Sequence, residues 1–495
     1  MVDTTSLSTH PPELAASEGR RALAAWYLRN MHRAVWMLPL WVVLLVVLWL
    51  LLLSGIYLDP HEQIVSSREA ALALKPPMPP DGDNAAPDYN KAFASFVQWN
   101  QPKDEPTVVW SLVASAYFER PEVMAHLAAN ESYISQLLQA SSKPACNFDL
   151  DYSQGMGMLM VHLARMRNGA RQLVIDARTQ AHAGRHTASV VRLQALRNMA
   201  RHAETDPVLI SSLVSIAMEH ICLMAIESIM QHDPPGTVEE LEVYRNVLKD
   251  WPDPMRRAET FLDGERKMSL YSLDQAAAQN TLLSNFTPIK VPEEMLLPWY
   301  GSDRACLDEV LKEMLERARS GDLKDNPQVG VETLIEKHRK GPVFLTRGIV
   351  PVLERTHISF IRCHEQRLVT DAALAFLQYR LRHGKDAKAL EALVPEFLPR
   401  VPVDYYHGAP LRMRVDPDGM TVTEPLTYKA ERRFPGLIRI YGLGANGADN
   451  QGFANMANPQ ERLPTMGINM THDDPVFRVP PAARNAEDAA EELAE

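Results

Sequence analysis

Residues Ala34–Leu58 read AVWMLPLWVVLLVVLWLLLLSGIYL and carry no charge. As a helix this run matches a bilayer hydrocarbon core of about 30 Å, and a helix satisfies its own backbone amides where no water is available. A buried core helix rarely runs this long without a polar position. The reading is therefore a transmembrane helix, with Trp36, Trp41, Trp49 and Tyr57 supplying interface anchors. Arg20, Arg21, Arg29 and Arg33 precede the run, whereas Asp59 and Glu62 follow it. The positive flank stays in the cytoplasm, so the rest of the chain is expected on the extracytoplasmic face of the inner membrane. The charged stretch before the run is long and no small-x-small site follows Ser54-Gly55, which favours an uncleaved signal anchor.

Outward from this segment the chain divides by composition. Residues 1–33 form a cytoplasmic tail that begins rich in Ser, Thr and Pro, and 59–83 form a linker ending in the stiff PPMPPDGD. From 84 to 342 apolar residues recur three and four apart, predicting an extracytoplasmic array of stacked antiparallel helical hairpins. Helices are expected over Gln63–Lys75, around Tyr89–Val97, and over Val108–Phe118, Pro121–Gln139, Gly155–Ala183, Thr187–His202, Pro207–Met230, Val238–Lys249, Met255–Ala277, Asp303–Arg319 and Val331–Lys340. Asn280–Pro298 reads as a loop. Residues 343–480 hold a long helix, Val343–Arg382, broken or continuous at Pro351, followed by short β-rich runs at Leu411, Met420 and Leu437 that predict a small antiparallel sheet. An acidic tail, 481–495, closes the chain. The fold class is mainly α, with one N-terminal transmembrane helix and a small C-terminal β module.

A net charge of −11 opposes phosphate-backbone binding, so no nucleic-acid partner is expected. Cys146, Cys222, Cys306 and Cys363 lie too far apart for a metal knuckle. In an oxidising compartment they permit disulfides of undetermined pairing, although Cys222 sits in an apolar helix as a small hydrophobe.

Within Pro207–Met230, Glu219, His220 and Glu227 interrupt an otherwise apolar helix. Ionisable groups at mid-bilayer are costly, so this is expected to be a core helix. Burial would raise its carboxyl pKa values, making these three residues the acid–base candidates. Competing motifs are incomplete. Glu354 and His357 form one E-x-x-H pair without the second pair and added carboxylates of a di-iron site. His364-Glu365 lacks the second histidine of a zinc helix, since Leu368 takes that place. His182 and His186 straddle Gly184. Gly442, Gly444 and Gly447 match G-x-G-x-x-G, yet ADNQGFANMANPQ behind them is a poor helix for holding pyrophosphate.

Asp371–Gly452 contains DAALAFLQYRLRHGKDAKALEALVPEFLPRVPVDYYHGAPLRMRV and then YGLGANGADNQG. This order of long helix, Leu-Val-Pro hinge, Asp-x-x-x-Gly-x-Pro-Leu turn and Gly-rich loop resembles the end of the major pseudopilin of type II secretion. The resemblance implies a calcium site, with Asn446 and Asp449 as matching ligands and Asp473 and Asp474 completing an oxygen set. The residues themselves equally form a turn held by its own backbone. At its other end the chain departs from a pseudopilin, having a longer tail and a charge-free span in place of a short leader and an early Glu. The anchor, NAAPDYNKAF, the helical body and the terminal module together resemble a bacterial family of membrane-anchored helical proteins, a resemblance that assigns no activity. The expected role is an envelope scaffold that binds another protein, with a secretion accessory or an enzyme using a cleft in the array as alternatives.

Overall fold

The computed structural model describes residues 39–46, 59–98, 121–279, 281, 297–322, 330–341, 343–416, 420–423, 430–434, 436–444, 449 and 475–480. Its core is mainly helical and carries a small antiparallel sheet near the C-terminal end. The expected helix Val108–Phe118, most of the loop Asn280–Pro298, and the two tails lie outside the described residues.

Of the apolar run, residues 39–46 are described and helical. Leu40 to Val46 are all exposed, from 65% at Leu40 to 47% at Val46. The next helix, α1 (Pro60–Leu72), begins with Asp59 capping the amide of His61 at 2.9 Å and with proline in its first turn, where a missing N–H costs least. α2 (Ala86–Ser95) follows within NAAPDYNKAF. Asn84 Oδ1 accepts from the amides of Ala86 (3.1 Å) and Asn147 (2.8 Å), and Asn147 Nδ2 donates to the carbonyl of Pro76 (2.9 Å). The proline-rich stretch is thereby tied to the body.

One helix expected over Pro121–Gln139 is two, α3 (Pro121–Ala129) and α4 (Glu131–Ser141). Asn130 breaks it: its side chain exchanges hydrogen bonds with the backbone of Val97, at 2.9 and 3.1 Å, which competes with helix continuation. The start expected at Gly155 is a short 3-10 turn, Tyr152–Gly157, because Gly155 adopts φ +57°. α5 (Val161–His182) and α6 (His186–Ala203) then form a hairpin about Gly184, whose φ of +70° allows the amide of Arg185 to reach the carbonyl of Gln180. α7 (Leu209–His232) packs on both.

α8 (Val238–Val247), α9 (Pro254–Ala278), α10 (Leu297–Ser320) and α11 (Val331–His338) precede the long α12 (Leu345–His383). α12 contains Pro351 without ending and stops at Gly384, φ +64°. It packs against α7, α8, α9 and α10, so the middle of α12 is the spine of the body. α1 lies along α9. At Gly264 of α9 a Cβ would fall 1.7 Å from the carbonyl oxygen of Pro207, so only glycine permits this approach of the α6–α7 connection.

The sheet has order β1-β4-β5: β1 (Arg412–Asp416), β4 (Leu437–Tyr441) and β5 (Val476–Val479), with β2 (Met420–Thr423) and β3 (Ala430–Phe434) as a separate hairpin pair. All the pairings are antiparallel. β1, β2 and β4 fall on the three expected runs. β3 and β5 are additional; AERRF carries too many charges, and VFRV is too short, to announce a strand alone.

Candidate functional site

Glu219 projects from α7 into the interior and meets Arg257 of α9 at 2.7 Å. The same guanidinium binds Glu204, just past the end of α6, at 2.9 and 2.7 Å, and lies over the ring of Phe360 on α12 with 4.4 Å to the centroid. Ser215 closes the group from α7, and the thiol of Cys363 lies 3.8 Å from Glu219. Burial pushes the Glu219 carboxyl upward, and Glu204 adds to this, while Arg257 opposes both. Burial also holds Cys363 well above the usual thiol range. One cation between two carboxylates joins the end of α6 to α7, α9 and α12. Its polar valences are spent on each other, which describes a structural tie.

His220, one residue along, is turned away by the ~100° step of the helix. Burial and then Arg362 push its imidazole down to about 4, so it is neutral at physiological pH. Glu227 lies elsewhere again. Its carboxylate accepts from the amide of Arg478 (3.1 Å) and from that residue's guanidinium (3.3 Å), while Gln231 donates to the carbonyl of Arg478 (3.3 Å). Gln366 and Arg380 of α12 bind the carbonyls of Val476 (2.8 Å) and Pro480 (2.7 Å). The free edge of β5 is thus covered by side chains from two helices, which blocks further strand addition. The three acid–base candidates do not converge: Glu219 is bound to Arg257 and Glu227 to Arg478, on different elements.

A second buried cluster joins α12 to the turn before β1. Glu365 and Asp404 are 1% and 2% exposed, and the two carboxyl groups lie close enough to affect each other electrostatically. Glu365 also accepts from the amide of Tyr405 (3.2 Å). Burial first, then Asp404, raises Glu365 well above the carboxylate range, which favours its protonated form. Asp404 in turn accepts from the amides of His407 (2.8 Å) and Leu443 (2.9 Å), and His407 Nε2 lies 3.0 Å from the carbonyl of Gly444. The Asp-x-x-x-Gly turn, closed by Gly408 at φ +66°, therefore grips the start of the Gly-rich loop. Gly442 and Gly444 serve that grip; Gly447 lies outside the described residues. The sequence places Glu365 in a failed zinc motif and Asp404 at the head of the Asp-x-x-x-Gly-x-Pro-Leu turn, but nothing local links the two, so far apart in the chain.

The remaining candidates separate in the same way. His182 binds Asp233 (2.9 Å), whereas His186 meets the hydroxyl of Tyr244 (3.2 Å), so the turn at Gly184 parts them. His364 packs edge-on against Tyr405. Among the described residues no three His, Cys, Asp or Glu side chains gather as a metal site. Of the calcium candidates, Asp449 is paired with Arg412 and bonded by the hydroxyl of Tyr441. Asn446, Asp473 and Asp474 lie outside the described residues. All four cysteines are buried and free, so no disulfide joins them.

Among the described residues, Leu209–His232 is the one helix long and apolar enough to cross a membrane, and most of it is buried inside the body. Compared with known protein families, curated proteins and solved structures, the chain matches none.

Proposed function

We propose that this chain is a single-span protein of the bacterial inner membrane, anchored through residues 34–58, whose helical body acts outside the cytoplasm as a scaffold for another envelope protein. The supporting observation is the exposed helical segment 39–46, whose seven large apolar side chains find no cover in the body. Burying one such side chain is worth about 1.5–3 kcal/mol, so the segment forgoes on the order of 10 kcal/mol in water. That is comparable with the whole stability of a domain, and a bilayer recovers it. The interaction role draws on the buried acids, whose bonds are spent within the fold. In spheroplasts, external protease is expected to digest the body and spare a tag fused ahead of Met1; the reverse pattern would invert the topology. Crosslinking in intact cells, followed by mass spectrometry, is expected to recover a reproducible envelope protein with the body.

A second reading, a secretion-system accessory, rests on the order of α12, the Asp404 turn, β1 and β4, which follows the pseudopilin-like pattern. A deletion strain is expected to show impaired export under this reading, and normal export rejects it. An enzymatic reading would require Glu219, His220 or Glu227 to reach substrate, and two of these are committed to Arg257 and Arg478.

A further inference from the structure

Several of the body's exposed apolar side chains lie around the contact of α1 with α9, and others, among them Met124, Val191, Phe344 and Val415, are scattered over other elements. Val65 on α1 is 61% exposed, and Met156 and Leu159, in and just after the 152–157 turn, are 55% and 77% exposed. Val161 opens α5 and Ile210 lies near the start of α7; both are exposed as well. α1 touches both α9 and the 152–157 turn, and Leu159 and Val161 follow that turn directly in the chain. Ala71, Tyr152, Val208, Met268 and Tyr271 form a single buried cluster beneath it.

This surface is held rigidly. The amide of Met156 donates to Ser272 Oγ at 2.7 Å, and the hydroxyl of Tyr271 donates to the carbonyl of Ser153 at 2.7 Å. Gly155 lies so close to α9 that an added Cβ would sit 2.5 Å from Ser272 Oγ. A floppy loop could fold its apolar side chains inward. This turn is fastened with Met156 outward, at the cost of leaving it in water.

Its place in the chain says what covers it. The apolar run ends at Leu58, Asp59 caps α1, and Pro60 is already buried against the body. In sequence Asp59 alone stands between the apolar run and α1, which at 1.5 Å per residue is about 20 Å long. The surface flanking α1 therefore stands within one short helix of the bilayer. Arg68 and Arg165 stand exposed among these residues, and long basic side chains of this kind reach headgroups while their stems stay in apolar surroundings. Glu62 and Glu69 are exposed on α1 too, so the contact rests on apolar insertion more than on charge.

We propose that Val65, Met156, Leu159, Val161 and Ile210 insert into the interfacial layer of the bilayer that residues 34–58 cross, so that the body is seated on the membrane instead of hanging from it. The inference rests on the anchor reading above. The test uses the full chain in phosphatidylcholine–phosphatidylglycerol vesicles with an environment-sensitive fluorophore on single introduced cysteines, the four native thiols being buried. Labels replace Val43 in the span, Met156 and Leu159 on the patch, and Val415 on edge strand β1 as control. Lipids nitroxide-labelled near the glycerol are expected to quench the labels at 156 and 159 and leave 415 unquenched. Leu159→Asp is expected to reduce quenching at 156. Quenching at 43 with none at 156 or 159 overturns the seating while leaving the anchor intact. Absence of quenching at 43 by lipids nitroxide-labelled along the acyl chain overturns both. A blue-shifted label at 156 that lipid nitroxides do not quench overturns the lipid assignment in favour of a protein contact.

Discussion

Glu365 and Asp404 bring two carboxyl groups together in the interior, across the joint between α12 and the turn that starts the β module. Two adjacent buried carboxylates cannot both be ionised cheaply, so the pair retains a proton. In the unfolded chain Glu365 loses its proton near pH 4.3, whereas in the fold it keeps it to much higher pH. Its stabilising effect is thus full below about pH 4.3 and declines as pH rises toward the folded value. Glu365→Gln keeps a donor for Asp404 and an acceptor for the amide of Tyr405 without a titration. The variant is expected to gain on the parent as pH rises above the unfolded value. Chemical denaturation of both proteins from pH 5 to 8 reads the difference; parallel curves would remove the shared proton.

Arg257 is the cation of a buried ionic group and is 7% exposed. Replacing it with Met leaves Glu204 and Glu219 facing each other without the cation between them. A buried pair broken on one side costs about 3–5 kcal/mol. Arg257→Met is expected to lose that much, and Arg257→Met with Glu219→Gln to recover part of it. Equal loss in single and double variants would mean that the stem of Arg257 and its contact with Phe360, not its charge, hold the helices.

Gly264 meets the backbone of Pro207 with no room for a methyl group. Gly264→Ala forces α9 away from the α6–α7 connection and is expected to destabilise by about 1–3 kcal/mol, the range for overpacking. A melting temperature equal to that of the parent would show that the two segments are not so close.

Arg412 already supplies a cation to Asp449. Excess calcium is therefore expected to leave the melting temperature of the parent unchanged. A rise on adding calcium, abolished by Asp449→Ala, would instead establish the site that the pseudopilin-like pattern implies.

The four thiols are shielded, and burial pushes Cys146 and Cys222 up to about 12 and Cys306 up to about 11. A thiol reagent at pH 8 is expected to react slowly with the folded protein and to titrate four thiols once it is denatured. Fewer than four after denaturation without reductant would reveal a disulfide.

Helix after helix was legible in the sequence because apolar spacing and breakers are local: Pro254–Ala278 and His186–Ala203 depart from expectation by a residue at each end. So was the core character of Leu209–His232, since Glu219 and Glu227 would be intolerable facing lipid. The break at Asn130 was not legible, because it depends on Val97, distant in sequence. The strand Val476–Val479 was missed for the same reason: it exists by pairing with β4 and by the side chains of α7 and α12 that cover its edge.

By itself the sequence determined the apolar run, the helical periodicity and the small sheet, all set by hydrophobic pattern and backbone preference over a few residues. Tertiary structure alone decided what the polar residues do. Glu219, Glu227 and Glu365 look alike as isolated acids in helices, yet each takes its character from a partner on another element: Arg257, the edge of β5, and Asp404. Charge energies depend on distance and burial, and neither is written in the order of residues.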